Sequence, residues 1–301
     1  LAVRSGDEPD TMYGALAEDI QVAPDKAWVA FRLNPKARFT NGDPVTAADV
    51  KYSFDSLSGK YASPTYSSSL AGVRRALVID DRTIRFEMAE RSSDALFRVG
   101  ALPVFSRKWG LKPDGTHTRF DEIIDEMPIT SGPYTIAKAD SGRRIDFVRN
   151  PDYWAKDLPV RRGFFNFDHV VYRYYQDEAV ATEAFKAGEF DLVRVYGSGT
   201  WVRQHKGPKW DDGRIVKQSF RYGTGQGLQA YMLNLRRPLF QDIRVRKALV
   251  LTYDFETNNR YHLLKRASSE FNNSDFAAQG LPSAGELALL EPFRKDLPKE
   301  V

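Results

Sequence analysis

Residues 232–249, MLNLRRPLFQDIRVRKAL, decide how this chain is read. An extended apolar segment carrying Tyr231, Leu233 and Leu235 passes through Asn234 and meets Pro238-Leu239-Phe240. Asp242 then opens a helix with Val245, Ala248 and Leu249 on one face and Arg244, Arg246 and Lys247 on the other. Apolar residues at i, i+3 and i+4 mark an amphipathic helix, and an Asp just ahead of it can accept the orphan amide hydrogens of the first turn. The expectation is a strand feeding a helix across an exposed turn.

Working outward, 301 residues with 42% apolar and 13% aromatic content are enough for about two domains. No run approaches the roughly 18 consecutive apolar residues of a membrane span. The first residue is Leu and no charged-then-apolar leader precedes it, so either a targeting segment was removed or the chain is a piece of something longer. Cysteine is absent, which excludes disulfides, thiol nucleophiles and Cys-ligated zinc. The net charge of +4 comes from 44 basic and 40 acidic residues whose signs are interspersed. That is no nucleic-acid footprint.

Local signals repeat along the chain. Residues 28–33 alternate as a strand, Asn41-Gly42 supplies a turn, and Thr46 with Asp49 forms a capping box ahead of Val50, Phe54 and Leu57. Residues 77–79 and 83–86 make a strand pair across Asp80-Asp81. Gly132-Pro133 breaks the chain before a strand at 134–136, whose partner is 145–148, and a further strand covers 170–175. Asp177 caps a helix expected to bury Val180, Ala181, Ala184 and Phe185, Gly188 stops it, and residues 190–193 read as a strand. Strand, helix, Gly and strand give a βαβ pattern, so the fold class is α/β. Ser283 and Glu286 make a second capping box.

Four blocks in order carry a family resemblance. Phe31-Arg32-Leu33 with Asn41-Gly42-Asp43-Pro44-Val45-Thr46-Ala47-Ala48-Asp49-Val50 is the first, and Ser131-Gly132-Pro133-Tyr134 with Asn150-Pro151-Asp152-Tyr153-Trp154 is the second. Glu183-Ala184-Phe185-Lys186-Ala187-Gly188-Glu189-Phe190-Asp191 is the third, and the opening stretch is the fourth. Together they resemble the periplasmic solute-binding proteins of ABC peptide importers, family 5, of oligopeptide and dipeptide type. Asn234-Leu235-Arg236-Arg237-Pro238, Phe271-Asn272-Asn273-Ser274 and Gly280-Leu281-Pro282-Ser283 with Glu286-Leu287 are similar to the YejA-like branch.

That resemblance implies a multi-lobe fold of the type II periplasmic-binding-protein kind, present here as an incomplete internal fragment. Residues 1–125 would be a small lobe, 126–235 part of lobe one ending in the crossover strand, and 236–301 the start of lobe three. It implies a periplasmic monomer that captures an oligopeptide, including cell-wall-derived peptides or peptide antibiotics, by closure of its lobes and hands it to an inner-membrane ABC permease. A fragment without half of the cleft would bind peptide weakly or not at all.

The candidate ligand contacts lie ahead of the crossover, at Tyr222, Thr224, Gln226, Gly227, Gln229 and Tyr231, with Leu233, Asn234 and Arg236 as the hinge. Gly223, Gly225 and Gly227 permit close backbone approach, while Thr, Gln and Tyr supply neutral hydrogen-bonding groups for strand-like pairing with a peptide. Gly223-x-Gly225-x-Gly227 is not a dinucleotide fingerprint. Trp201 and Trp210 flank His205 either as core packing or as an aromatic shelf.

No catalytic residue, metal site or cofactor is expected. The histidines His117, His169, His205 and His262 are scattered, and Gly197-Ser198-Gly199 lacks the frame of a nucleophile elbow. Asp121, Glu122, Asp125 and Glu126 read as an acidic helix face left to solvent. The alternatives are an α/β hydrolase acting on peptides or glycans, and an interaction module for a membrane partner.

Overall fold

The computed structural model describes residues 1–6, 8, 10–124, 126–220, 227–261, 263–267, 271, 277–278 and 280–297. The chain divides into two compact units, Leu1–Asp191 and Leu192–Val301.

Unit 1 opens with a short antiparallel hairpin, β1 (Ala2–Arg4) on β2 (Met12–Gly14). A four-stranded antiparallel sheet follows, built from β3 (Ala17–Val22), β4 (Trp28–Leu33), β5 (Val73–Val78) and β6 (Thr83–Met88) in the order β3-β4-β6-β5. Alternation explains the packing: Val29, Phe31 and Leu33 of β4 and Ile84 and Phe86 of β6 point to one face and are wholly buried. Against them lies α1 (Ala47–Ser58), which buries Val50, Phe54 and Leu57 at helical spacing. Phe86 meets Phe31 and Phe54 edge to face at 5.9 and 5.6 Å. The Thr46–Asp49 capping box is present in full.

Two shorter helices, α2 (Pro64–Leu70) and α3 (Ala95–Gly100), flank that core. A second sheet, β7 (Tyr134–Asp140), β8 (Arg144–Arg149) and β9 (His169–Arg173), is antiparallel throughout. Then comes α4 (Glu178–Ala187), with Asp177 accepting from the amides of Ala179 and Val180 and Gly188 closing it at φ 87°.

Three expectations are corrected here. The buried residues of α4 are Thr182 and Ala184, while Val180 is exposed, so the apolar stripe is rotated from its expected line. Residues 190–193 form no strand; Phe190 turns back onto Tyr175 and Phe185 at 5.8 and 5.5 Å, which ends the extended path before a ladder can form. The acidic helix face shrinks to a single 3-10 turn, Phe120–Glu122, where Arg119 pairs with Asp121 and Glu122 at 2.6 and 2.9 Å. Asp125 lies outside the described residues.

Unit 2 contains α5 (Ser198–Arg203), α6 (Pro208–Asp211), α7 (Pro238–Gln241), α8 (Ile243–Thr252), α9 (Phe255–Asn258) and α10 (Ala284–Leu290). Asp242 caps α8 by accepting the Arg244 amide at 2.8 Å, and the Ser283–Glu286 capping box starts α10. The expected strand at 231–235 does not form: residues 231–234 are irregular chain and Leu235 lies in a turn, and none of them joins a ladder among the described residues, since a strand needs a partner. On the expected apolar face of α8, Ala248 and Leu249 are exposed and Val245 is half-buried. No helix among the described residues is long and apolar enough to cross a membrane.

Candidate functional site

In unit 1 the β1–β2 hairpin, α2 and α3 surround a cavity of about 620 Å³. Its walls follow from local chemistry. The hairpin can lie against α3 because position 100 is Gly: a Cβ there would stand 2.9 Å from the Met12 sulfur of β2. The loop joining β1 to β2 is tied back by the Tyr13 hydroxyl, which donates to Glu8 Oε2 at 2.6 Å. Arg98 of α3 pairs with Asp94 at 2.9 Å and donates to the Ser69 carbonyl at 3.3 Å, joining α3 to the end of α2.

Those contacts set the electrostatics. The Arg98 guanidinium, and after it the Ser92 hydroxyl, hold the Asp94 carboxyl below the usual carboxylate range. Arg98 is therefore compensated. Arg4 and Asp10 also line the cavity, and neither has an ion pair among the described residues. The Arg4 guanidinium rests 4.7 Å from the Phe97 ring centroid, which orients it without neutralising it. Phe97, Leu70 and Leu102 supply the apolar wall. A guanidinium, a carboxylate and an apolar wall in one concavity suit a small zwitterion, such as an amino acid or a short peptide.

None of the residues expected to touch ligand lines this cavity. Tyr222, Thr224 and Gln226 lie outside the described residues. Gly227 and Gln229 are exposed in irregular chain, and Tyr231 is 86% exposed with its ring 6.2 Å from that of Tyr253. Leu233 is half-buried. Asn234 accepts the Arg236 amide and its Nε, both at 3.1 Å, in the turn that leads into α7.

Around His205 the packing reading holds. His205 is buried, its ring meets Trp210 edge to face at 5.8 Å, and the Lys217 ammonium lies 4.3 Å from the Trp201 ring centroid. His117 sets Nε2 2.7 Å from the Arg107 carbonyl and lies 4.9 Å from the Tyr52 ring, while His262 lies outside the described residues. Among the described residues no group of three or more His, Asp or Glu could hold a metal ion.

Sequence reasoning missed the Arg4 cavity because its parts come from four places in the chain. The one local signal was a pair of opposite charges, Arg4 and Asp10, six positions apart.

Comparison with known proteins gives a consistent picture. The family model for bacterial extracellular solute-binding proteins, family 5 Middle, matches residues 11–277. The YejA protein of Escherichia coli strain K12 is 36% identical over 100% of this chain and 49% of its own length. A probable peptide-binding protein YejA of Agrobacterium fabrum is 34% identical over 98% of this chain and 49% of its own. Among solved structures, NikA from Brucella suis in complex with Fe(III)-EDTA superposes with a TM-score of 0.68 at 22% identity, covering 95% of this chain and 57% of that one. The chain spans about half the length of the curated relatives it matches.

Proposed function

Since the chain belongs to the bacterial extracellular solute-binding proteins of family 5, with YejA-like relatives and about half of a type II periplasmic-binding-protein fold, we propose that it serves to capture an oligopeptide and deliver it to the permease of an ABC importer. The match over residues 11–277 carries this reading. The peptide-binding description of the Agrobacterium fabrum relative and the presence of Arg4 and Asp10 beside an apolar wall in one cavity support peptide as the solute. The role is binding without catalysis, by a monomer in a Gram-negative periplasm.

Residues 1–125 are proposed as the small lobe, 126–235 as part of lobe one and 236–301 as the start of lobe three. Tyr222, Thr224, Gln226, Gly227, Gln229 and Tyr231 remain proposed ligand contacts, with Leu233, Asn234 and Arg236 as the pivot. Nothing observed favours the hydrolase: Ser198 begins the short helix α5 after irregular chain, not a strand-to-helix elbow.

Calorimetric titration of the full-length protein with synthetic oligopeptides, cell-wall peptides and a peptide antibiotic tests the proposal. Saturable binding of one peptide per protein, recovered intact by mass spectrometry, is the expected result; turnover of the peptide rejects it. Arg4→Gln should weaken binding of peptides with a free carboxylate by about tenfold and leave their amidated forms unchanged.

A further inference from the structure

A second, smaller cavity in unit 1, of about 280 Å³, lies beside the turn that carries Asn150 and Tyr153. Arg149, Lys156 and Arg161 line it, and no carboxylate does. Among the described residues only Arg149 of these three has an ion pair, with Asp168. Lys156 has no ion pair among the described residues. Arg161 buries its Nε with no hydrogen-bond partner, and its guanidinium lies 5.6 Å from the Phe165 ring centroid. The guanidinium hydrogen-bonds the Tyr153 hydroxyl, but stacking supplies no acceptor for Nε, and a buried N–H on a charged group without one is costly.

The wall on which Arg161 rests is held in an unfavourable shape. Phe165 has φ 59°, a left-handed conformation that bulky residues rarely adopt. Its ring packs edge to face on Tyr153 and Tyr134 at 5.9 and 6.1 Å, and that packing retains the strained backbone. Burial pushes the Tyr153 hydroxyl up, against the opposing pull of the Arg161 guanidinium, which hydrogen-bonds to it and leaves the hydroxyl proton free to be donated.

We propose that this cavity binds a small oxyanion, a carboxylate or phosphate group, through Lys156 and Arg161 against the Tyr153–Phe165 wall. A planar guanidinium and a mobile ammonium converging on one space match such a group, and charge-assisted hydrogen bonds are the strong ones. The volume lies at the small end for ligand sites and suits an anionic head with a short apolar substituent. The site shares no lining residue with the Arg4 cavity.

Calorimetry of the full-length protein at low ionic strength with inorganic phosphate, acetate and benzoate, over a chloride background, tests this. Saturable binding of phosphate alone identifies a phosphate site, and saturation by acetate or benzoate identifies a carboxylate site. Lys156→Gln should weaken the bound anion by about tenfold without changing the thermal midpoint of the anion-free protein, because Lys156 is exposed. Arg161→Gln should abolish binding. The proposal is overturned if none of the probes saturates, if Lys156→Gln and Arg161→Gln bind the anion as the parent does, or if Lys156→Gln weakens peptide binding to the same extent.

Discussion

The Asp49 carboxylate accepts the backbone amide of Arg107 at 3.0 Å across 58 positions of sequence. Its other oxygen accepts the Thr46 amide at 2.9 Å and the Thr46 hydroxyl at 2.6 Å. One turn along α1, the fully buried Ser53 hydroxyl accepts the Phe105 amide at 3.0 Å. Two short side chains of one helix therefore hold residues 105–107, just beyond Leu102 and Pro103 in the wall of the Arg4 cavity. Every group facing the carboxylate is a donor, so Asp49→Asn must turn an NH₂ toward one of them. We expect a loss of about 2 kcal/mol for Asp49→Asn and about 1 kcal/mol for Thr46→Ala, read from urea unfolding. Equal stability of Asp49→Asn and the parent would refute the double anchoring.

Gly188 ends α4 in the left-handed region, and an added Cβ would meet nothing within 4 Å. The cost of a side chain there is conformational and not steric. Gly188→Ala should lower stability by about 1 kcal/mol, with Gly188→Asn falling between the two because Asn tolerates this conformation. Identical loss for Ala and Asn in denaturant unfolding would point to a clash instead.

These cases mark what the sequence makes legible. The capping boxes at Thr46 and Ser283 and the stop at Gly188 are encoded within three or four residues, so they can be read directly. The alternation of β4 and β6 is equally local, and both strands formed where expected. A strand at 190–193 failed because pairing is a property of two segments, and Phe190 found Tyr175 and Phe185 first. For the same reason the Asp49–Arg107 bond and both cavities were hidden: the Arg4 cavity joins residues from 4 to 103, and the Lys156 cavity depends on a left-handed Phe165 that no pattern announces. The Trp201–His205–Trp210 group was visible as a spacing, but its cation, Lys217, was not.

Asp94 connects the Arg4 cavity to pH. Arg98 and Ser92 depress its folded-state pKa. A depressed carboxylate contributes stability above its unfolded value, about 4, and that contribution is lost as pH falls through the lower folded value. Asp94→Asn should therefore be less stable than the parent at neutral pH, with the two thermal midpoints converging in the acid range below pH of about 4. The pair is partly exposed, with side chains 34% and 47% accessible, so added salt should shrink the neutral-pH difference. A gap that persists unchanged into acid would mean that the Asn substitution acts through packing and not through charge.

Lys217 does in unit 2 what Asp49 does in unit 1: it satisfies backbone groups far from its own position. Its ammonium donates to the carbonyls of Trp201, in the last turn of α5, and of His205 at 3.2 Å, just beyond it. Helix ends leave such carbonyls unpaired, and a cation there also meets the negative end of the helix dipole. Burial lowers the pKa of the Lys217 ammonium from its ordinary value. Lys217→Met keeps an apolar stem against the Trp201 ring while removing the donor, so it separates hydrogen bonding from packing. We expect Lys217→Met to cost about 1 kcal/mol in urea unfolding followed by tryptophan fluorescence. If it unfolds at the parent's denaturant concentration, the ring contact alone organises the α5 end and the two carbonyls are served by water.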